Sequence, residues 1–382
     1  MRYTIGQLAE IIDGDRGKNY PKQDEFYPQG YCLFLNIGNV TKEGLTFEEN
    51  QFITKEKDEA LRKGKLKRGD IVYTTRGTVG NAGYYNSNVP YENVRINSGM
   101  VILRANGEIV DARFLYQILK SEYYRPYFKQ YCTGSAQPQL PIKNFSQIYL
   151  NVPDIKTQHR IADILSAYDD LIENNQRQVK LLEEAAQRLY KEWFVDLNFP
   201  GHENTKIVDG VPEGWSRGLL KELISVNYGK DHKKAPDDGN IPVYGSGGLM
   251  RKCNKSLFSG EAVLIPRKGS LNNIMYVNET FWTVDTMFYA TMKQPHTAIF
   301  VYFFVKAFDM YSMNIGAAVP SMTTKILDAM DVVIPDKETL EKFDKLTKTY
   351  FNKIKTLQGQ NERLKTARDL LLPKLMNGKV EV

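Results

Sequence analysis

The chain has 382 residues, of which 42% are apolar and 25% charged, with a formal net charge of +6. That length exceeds one compact core of ordinary size and calls for two or more domains of soluble, globular composition. No apolar run reaches the roughly 18 residues of a membrane span, and residues 1–12 lack the apolar core of a signal peptide. Cys32, Cys132 and Cys253 form no Cys-x-x-Cys pair and no zinc-ligand cluster, so reduced thiols in a cytoplasmic setting are expected and no metal site is.

In chain order, residues 69–78 read as a strand followed by a turn, 100–103 as a strand and 112–127 as a helix. A long charged-and-apolar helix is predicted over about 155–195. A second globular stretch repeats the order. Residues 262–265 and 287–292 read as strands, and the aromatic run 298–307 as a buried helix. A second long helix follows residue 336. The expected class is α+β.

The order repeats because the sequence does. Gly134-Ser-Ala-Gln-Pro-Gln-Leu-Pro-Ile-Lys143 matches Gly316-Ala-Ala-Val-Pro-Ser-Met-Thr-Thr-Lys325 at an offset of 182 (134 to 316). The same offset aligns Val152-Pro153 with Ile334-Pro335, then Tyr168 with Tyr350, Leu182 with Leu364 and Leu189 with Leu371. Upstream the offset grows, to 191 between Gly69 and Gly260 and to 212 between Tyr3 and Trp215, so the first half carries about 30 extra residues in its loops. The boundaries read as 1–153 and 198–335 for the globular regions, and 154–197 and 336–378 for the helices.

Both helices carry apolar residues at alternating spacings of four and three. The first seam runs Ile161, Leu165, Tyr168, Ile172, Asn175, Val179, Leu182, Ala186, Leu189 and Trp193. The second is poorer: Phe343, Thr347, Tyr350, Ile354, Leu357, Asn361, Leu364, Arg368, Leu371 and Leu375. A helix over 155–195 would be roughly 60 Å long at 1.5 Å per residue. Two similar halves related by a pseudo-two-fold axis would lay the helices antiparallel as a coiled coil, with a globular region at each end. The symmetry point then falls near residue 177, where Asn175 would meet Asn361 and help fix register. Pro373 is expected to end or kink the second helix. Asp154 and Asp336 stand at the helix starts, where a carboxylate caps free N–H groups.

Arg76-Gly-Thr78 and Arg267-Lys268-Gly-Ser270 follow equivalent strands. A cation and a hydroxyl on a glycine turn suit a phosphate or a base edge, although an ordinary basic turn has the same composition. Lys143, Lys325 and Gln137 of the Gly134 loop join them as candidate DNA contacts. No phosphate-binding loop, methyltransferase motif or catalytic carboxylate pair is present, so no catalytic residue is assigned.

Three features together resemble the DNA specificity subunit of type I restriction–modification enzymes: the duplicated organisation, the loop at 134–139, and Pro153-Asp-Ile-x-x-Gln158-x-x-Ile161-x-x-Ile-Leu165 entering the first helix. The second repeat is looser, with Leu340 in place of the Gln158 equivalent. The resemblance implies two target-recognition domains, each reading half of a bipartite asymmetric site in double-stranded DNA, with the antiparallel helices as spacer. It also implies two methyltransferase subunits and motor-nuclease subunits as partners. Those partners, not this chain, would use S-adenosylmethionine, ATP and Mg2+. A structural coiled-coil adaptor and a self-contained DNA-modifying enzyme are the competing readings.

Overall fold

The computed structural model describes residues 1–134, 137–313 and 321–380. Ser135, Ala136 and the Gly316–Pro320 part of the repeat lie outside the described residues. The chain divides into two compact units: residues 1–175 with 359–382, and residues 176–358. Among the described residues no helix is long and apolar enough to cross a membrane.

In the first unit, strands β1 (Ala9–Asp13), β2 (Ile71–Thr74), β3 (Ala82–Tyr84) and β4 (Met100–Ala105) form a sheet in the order β1-β4-β2-β3. β4 is central because Met100, Val101, Ile102 and Leu103 are apolar on both faces and fully buried. Helix α1 (Ala112–Lys120) covers one face through Phe114, Leu115 and Ile118. The predicted helix over 112–127 breaks instead at Ser121. A shorter helix, Arg125–Lys129, restarts with Pro126 in its first turn, where the missing N–H costs nothing. A short helix α2 (Ile142–Ser146) follows. The chain start, Arg2–Thr4, pairs with Tyr149–Asn151 just ahead of helix α3 (Ile155–Tyr190).

The second unit elaborates the same plan. Strands β5 (Ile224–Tyr228), β6 (Ile241–Gly245), β7 (Gly248–Cys253), β8 (Phe258–Pro266), β9 (Met275–Thr283) and β10 (Met287–Met292) form a sheet in the order β5-β10-β8-β9-β6-β7. β5-β10-β8 repeat β1-β4-β2: Tyr228 pairs with Phe288 as Asp13 pairs with Val101, and Pro266 with Met287 as Thr74 with Met100. Helix α4 (Ala298–Lys306) is buried against this sheet; it is followed by α5 (Thr324–Asp328) and α6 (Lys337–Met376). Ser216–Leu219 pairs with Asp331–Ile334, as the first strand does in the other unit.

Both long helices begin on capped aspartates. Asp154 Oδ1 accepts from the Lys156 and Thr157 N–H groups at 3.1 Å, and Asp336 Oδ1 from Thr339 N–H at 2.9 Å. Gln158 ties α3 to its unit: Oε1 accepts from Asp111 N–H at 3.0 Å, and Nε2 donates to the Ile109 and Pro153 carbonyls. In the second unit Leu340 lies in the apolar core instead. α6 continues through Pro373 and ends three residues later at Met376, so the helix does not stop at the proline. Pro373 removes one N–H close to the helix end, where Leu372 and Leu375 are buried in the first unit's core. Gly378, at φ +64, then turns the chain out of the helix.

Within the first unit the two helix segments run antiparallel. Leu165 shares a core cluster with Leu372 and Leu375, Asp169 bonds Arg368, and Asn175 Nδ2 donates to Asn361 Oδ1 at 2.9 Å. Asn361 Nδ2 also donates to the Ile172 carbonyl at 3.4 Å. Ile161, Leu165, Ile172, Asn175, Ile354, Leu357 and Asn361 are buried. Tyr168, Val179, Leu182, Leu189, Tyr350, Leu364 and Leu371 are half-buried.

Candidate nucleic-acid interface

Each unit gathers its candidate residues on a frame of backbone hydrogen bonds, and the frame is the same in both. In the first, the chain leaving β2 turns at Gly77, whose φ of +67 favours glycine. The Thr75 and Arg76 N–H groups both donate to the Gly99 carbonyl, at 3.0 and 3.2 Å, and Leu140 N–H donates to the Thr75 carbonyl at 2.9 Å. In the second, the chain leaving β8 turns at Gly269, at φ +83. The Arg267 and Lys268 N–H groups both donate to the Thr286 carbonyl, at 2.8 and 3.3 Å, and Met322 N–H donates to the Arg267 carbonyl at 2.9 Å.

A second glycine pair completes the correspondence. Gly14 follows β1 and Gly229 follows β5. A Cβ on Gly14 would lie 2.2 Å from the Asn97 carbonyl oxygen, and one on Gly229 would lie 2.0 Å from that of Val284. Both positions therefore exclude any side chain, and both press the strand end onto the loop ahead of β4 or β10.

The frame holds different side chains toward solvent. Arg76 and Thr78 are exposed on the first turn, and Lys268 and Ser270 on the second, with Arg267 half-buried between strand and turn. Gln137, Lys143 and Lys325 are also exposed. The segments leading to Lys143 and Lys325 are the ones tied to the turns through Leu140 and Met322. In the second unit the hairpin β6–β7 joins the cluster, with Asn273 Nδ2 donating to the Ser246 carbonyl at 2.9 Å. An open cleft of about 650 Å3 runs along β5, lined by Lys221, Glu222, Tyr228, Lys293, Thr324 and Asp328.

Sequence reasoning missed three residues on this frame. Arg16 Nη2 donates to Asp13 Oδ1 at 3.1 Å and to the Ser98 carbonyl at 3.2 Å. The Arg267 guanidinium carbon stands 5.6 Å from the centre of the Tyr228 ring. That ring is 54% exposed and braced edge-on by Phe288 at 5.0 Å. The sequence signal was the glycine that follows Asp13 and Tyr228, which loop-length drift hid from alignment.

Behind the first frame, α1 is fixed to the long helices by a buried charge cluster. The Asp169 carboxylate accepts from Lys120 Nζ at 2.8 Å, Arg368 Nη1 at 2.7 Å and Gln117 Nε2 at 2.6 Å. Burial alone would raise the pKa of Asp169. The two cations and the hydrogen bonds from Lys120 and Gln117 outweigh burial and hold it below the usual carboxylate range. For Lys120 burial is the larger effect, and its pKa falls despite Asp169. Among the described residues no group of three or more His, Cys, Asp or Glu side chains could hold a metal.

A family model described as the type I restriction modification DNA specificity domain matches residues 1–184 and, separately, residues 212–366. The chain is 25% identical over 372 residues to the type I restriction enzyme MjaIX specificity subunit of Methanocaldococcus jannaschii, covering 85% of this chain and 81% of the relative. It is 24% identical over 474 residues to the HindI specificity subunit of Haemophilus influenzae, covering 98% and 100%. The fold matches the crystal structure of a type I restriction–modification S subunit from M. genitalium, with a TM-score of 0.60 at 18% identity over 98% of this chain and 95% of that one.

Proposed function

Because the chain belongs to the type I restriction–modification DNA specificity family, as a non-catalytic specificity subunit, we propose that it reads a bipartite, asymmetric site in double-stranded DNA and positions the subunits that act there. Residues 1–153 and 198–335 are the two target-recognition domains, one per half-site. Residues 154–197 and 336–378 are the spacer that sets the gap between half-sites. Two methyltransferase subunits and motor-nuclease subunits supply the chemistry, with S-adenosylmethionine, ATP and Mg2+ as their cofactors, and the complex works in the cytoplasm.

One observation carries the reading. Two turns held by the same backbone hydrogen bonds present different exposed groups, Arg76 and Thr78 in one and Lys268 and Ser270 in the other. A repeated frame with unlike side chains suits two unlike half-sites. Cations and hydroxyls on it suit phosphates and base edges. Gln137, Lys143, Arg267 and Lys325 flank these turns as further contacts.

The test is DNA binding by the chain in complex with its methyltransferase. Affinity should fall steeply between about 50 and 200 mM salt, as counterion release requires, and footprints should show two protected segments. Arg76→Ala should weaken the first half-site alone. Salt-independent binding, or equal loss at both half-sites, would contradict the proposal.

A further inference from the structure

The two frames share one more device. At the end of the edge strand, directly before the close-packed glycine, each unit carries a residue that holds an arginine. In the first unit it is Asp13, which accepts from Arg16 Nη2, while the same nitrogen reaches the Ser98 carbonyl. In the second it is Tyr228, with the Arg267 guanidinium over its ring. The arginines come from different places in the chain, Arg16 from the loop after β1 and Arg267 from the turn after β8. They meet the frame at the same point, because Asp13 and Tyr228 occupy equivalent register positions opposite Val101 and Phe288.

We infer that Arg16 and Arg267 are the base-reading arginines of the two half-sites, each recognising a guanine edge in the major groove, with Asp13 and Tyr228 as positioning residues. The assignment rests on the DNA-reading function proposed above. A guanidinium presents a planar fork of donors that matches the O6 and N7 acceptors of guanine. The fork discriminates only if its plane is set in advance, since a long free side chain loses that benefit to entropy. Arg16 and Arg267 are each held at the equivalent strand end, one by a carboxylate and a carbonyl and the other by an aromatic ring. Asp13 and the Ser98 carbonyl hold Arg16 through Nη2, which fixes the plane of the guanidinium and turns Nη1 outward on a side chain that is 44% exposed. Arg76 and Lys268 stand on the exposed turns beside them and add charge next to the held arginines.

The test uses the complex of this chain with its methyltransferase and a library holding every single-base change of its site, measured at two salt concentrations. Arg16→Ala should cost about 5- to 150-fold in affinity for the intact site and erase the preference for one G·C pair in the first half-site only. Arg267→Ala should do the same in the second. Arg16→Lys and Arg267→Lys keep the charge without the fork, and should lose the preference while losing less affinity. Asp13→Asn and Tyr228→Leu should blunt the preference at that same base pair, which a merely structural role would not single out. Circular dichroism checks that each variant is folded. A uniform loss across all sequences, with the log–log salt slope reduced by about one, would identify phosphate contacts and overturn the assignment. So would an unchanged base preference in a variant complex that still binds a bipartite site; that outcome leaves the parent reading standing. A wild-type complex with no bipartite preference would remove the parent reading and this assignment with it.

Discussion

Removing the Asp169 carboxylate should loosen the first unit selectively. Lys120, with a side chain only 6% exposed, and Arg368, at 14%, both turn toward this carboxylate. Asp169→Ala leaves Lys120 desolvated and without its anion. Breaking a buried pair in this way costs about 3–5 kcal/mol, against a total stability on the order of 5–15 kcal/mol. With a urea dependence of about 2 kcal/mol per molar, the midpoint should fall by roughly 2 M. Hydrogen exchange should locate the opening: α1 and residues 361–376 should exchange faster, while α4 in the second unit stays protected. The combined change Lys120→Met, Asp169→Leu and Arg368→Leu removes the charges together and should recover most of the loss. Acidity gives an independent check. The folded-state pKa of Asp169 lies below its unfolded value, so its contribution is full above about pH 4 and is lost as pH falls through the folded pKa. Asp169→Asn should therefore flatten the acid side of the stability profile. An unmoved midpoint, equal opening of both units, or an apolar triple variant as unstable as Asp169→Ala would refute the reasoning.

Three further outcomes are expected. Asn361→Leu strands the buried Asn175 amide and should cost about 1–3 kcal/mol in chemical denaturation, while the double change Asn175→Leu with Asn361→Leu should restore stability; additive losses would contradict this. Leu182→Asp places a charge at a half-buried seam position of the second unit and should lower the thermal midpoint by an amount corresponding to about 2–3 kcal/mol, so an unchanged melt would count against the seam. Burial and the Asp58 carboxylate push the Cys32 thiol up to about 12, so iodoacetamide at pH 8 should modify the native chain at Cys132 and reach Cys32 only after denaturation. Fast native labelling of Cys32 would contradict its burial.

The repeat was legible because it is carried by local signals. Pro153 and Pro335, the capping aspartates and the seam residues keep one offset through uninterrupted helix, where an insertion would break the heptad. The turns at Gly77 and Gly269 were legible for the same reason, since a glycine between a cation and a hydroxyl marks a left-handed turn by composition. What escaped was tertiary. Arg368 stood in the sequence only as a polar blemish on the second seam, because its partner Asp169 lies 199 residues away in the chain. The 182-residue offset places Phe351 where the first helix has Asp169. There the second unit docks its helix through aromatic contacts with Tyr276, Tyr302 and Phe303 instead of charges. Arg16 and Tyr228 were invisible for a different reason: a held arginine is defined by what faces it, and no spacing rule encodes that. The helix does not stop at Pro373 because the rule against interior proline weighs the lost hydrogen bond and not the burial of Leu372 and Leu375 beside it.

The central claim is that two independent readers sit in one chain. Exchanging residues 1–153 for the corresponding segment of a relative, and sequencing methylated sites in cells that supply the methyltransferase, tests it most directly. The account predicts that one half of the methylated motif changes, while the other half and the spacing between them stay as they were. A motif altered in both halves, or in neither, would contradict it.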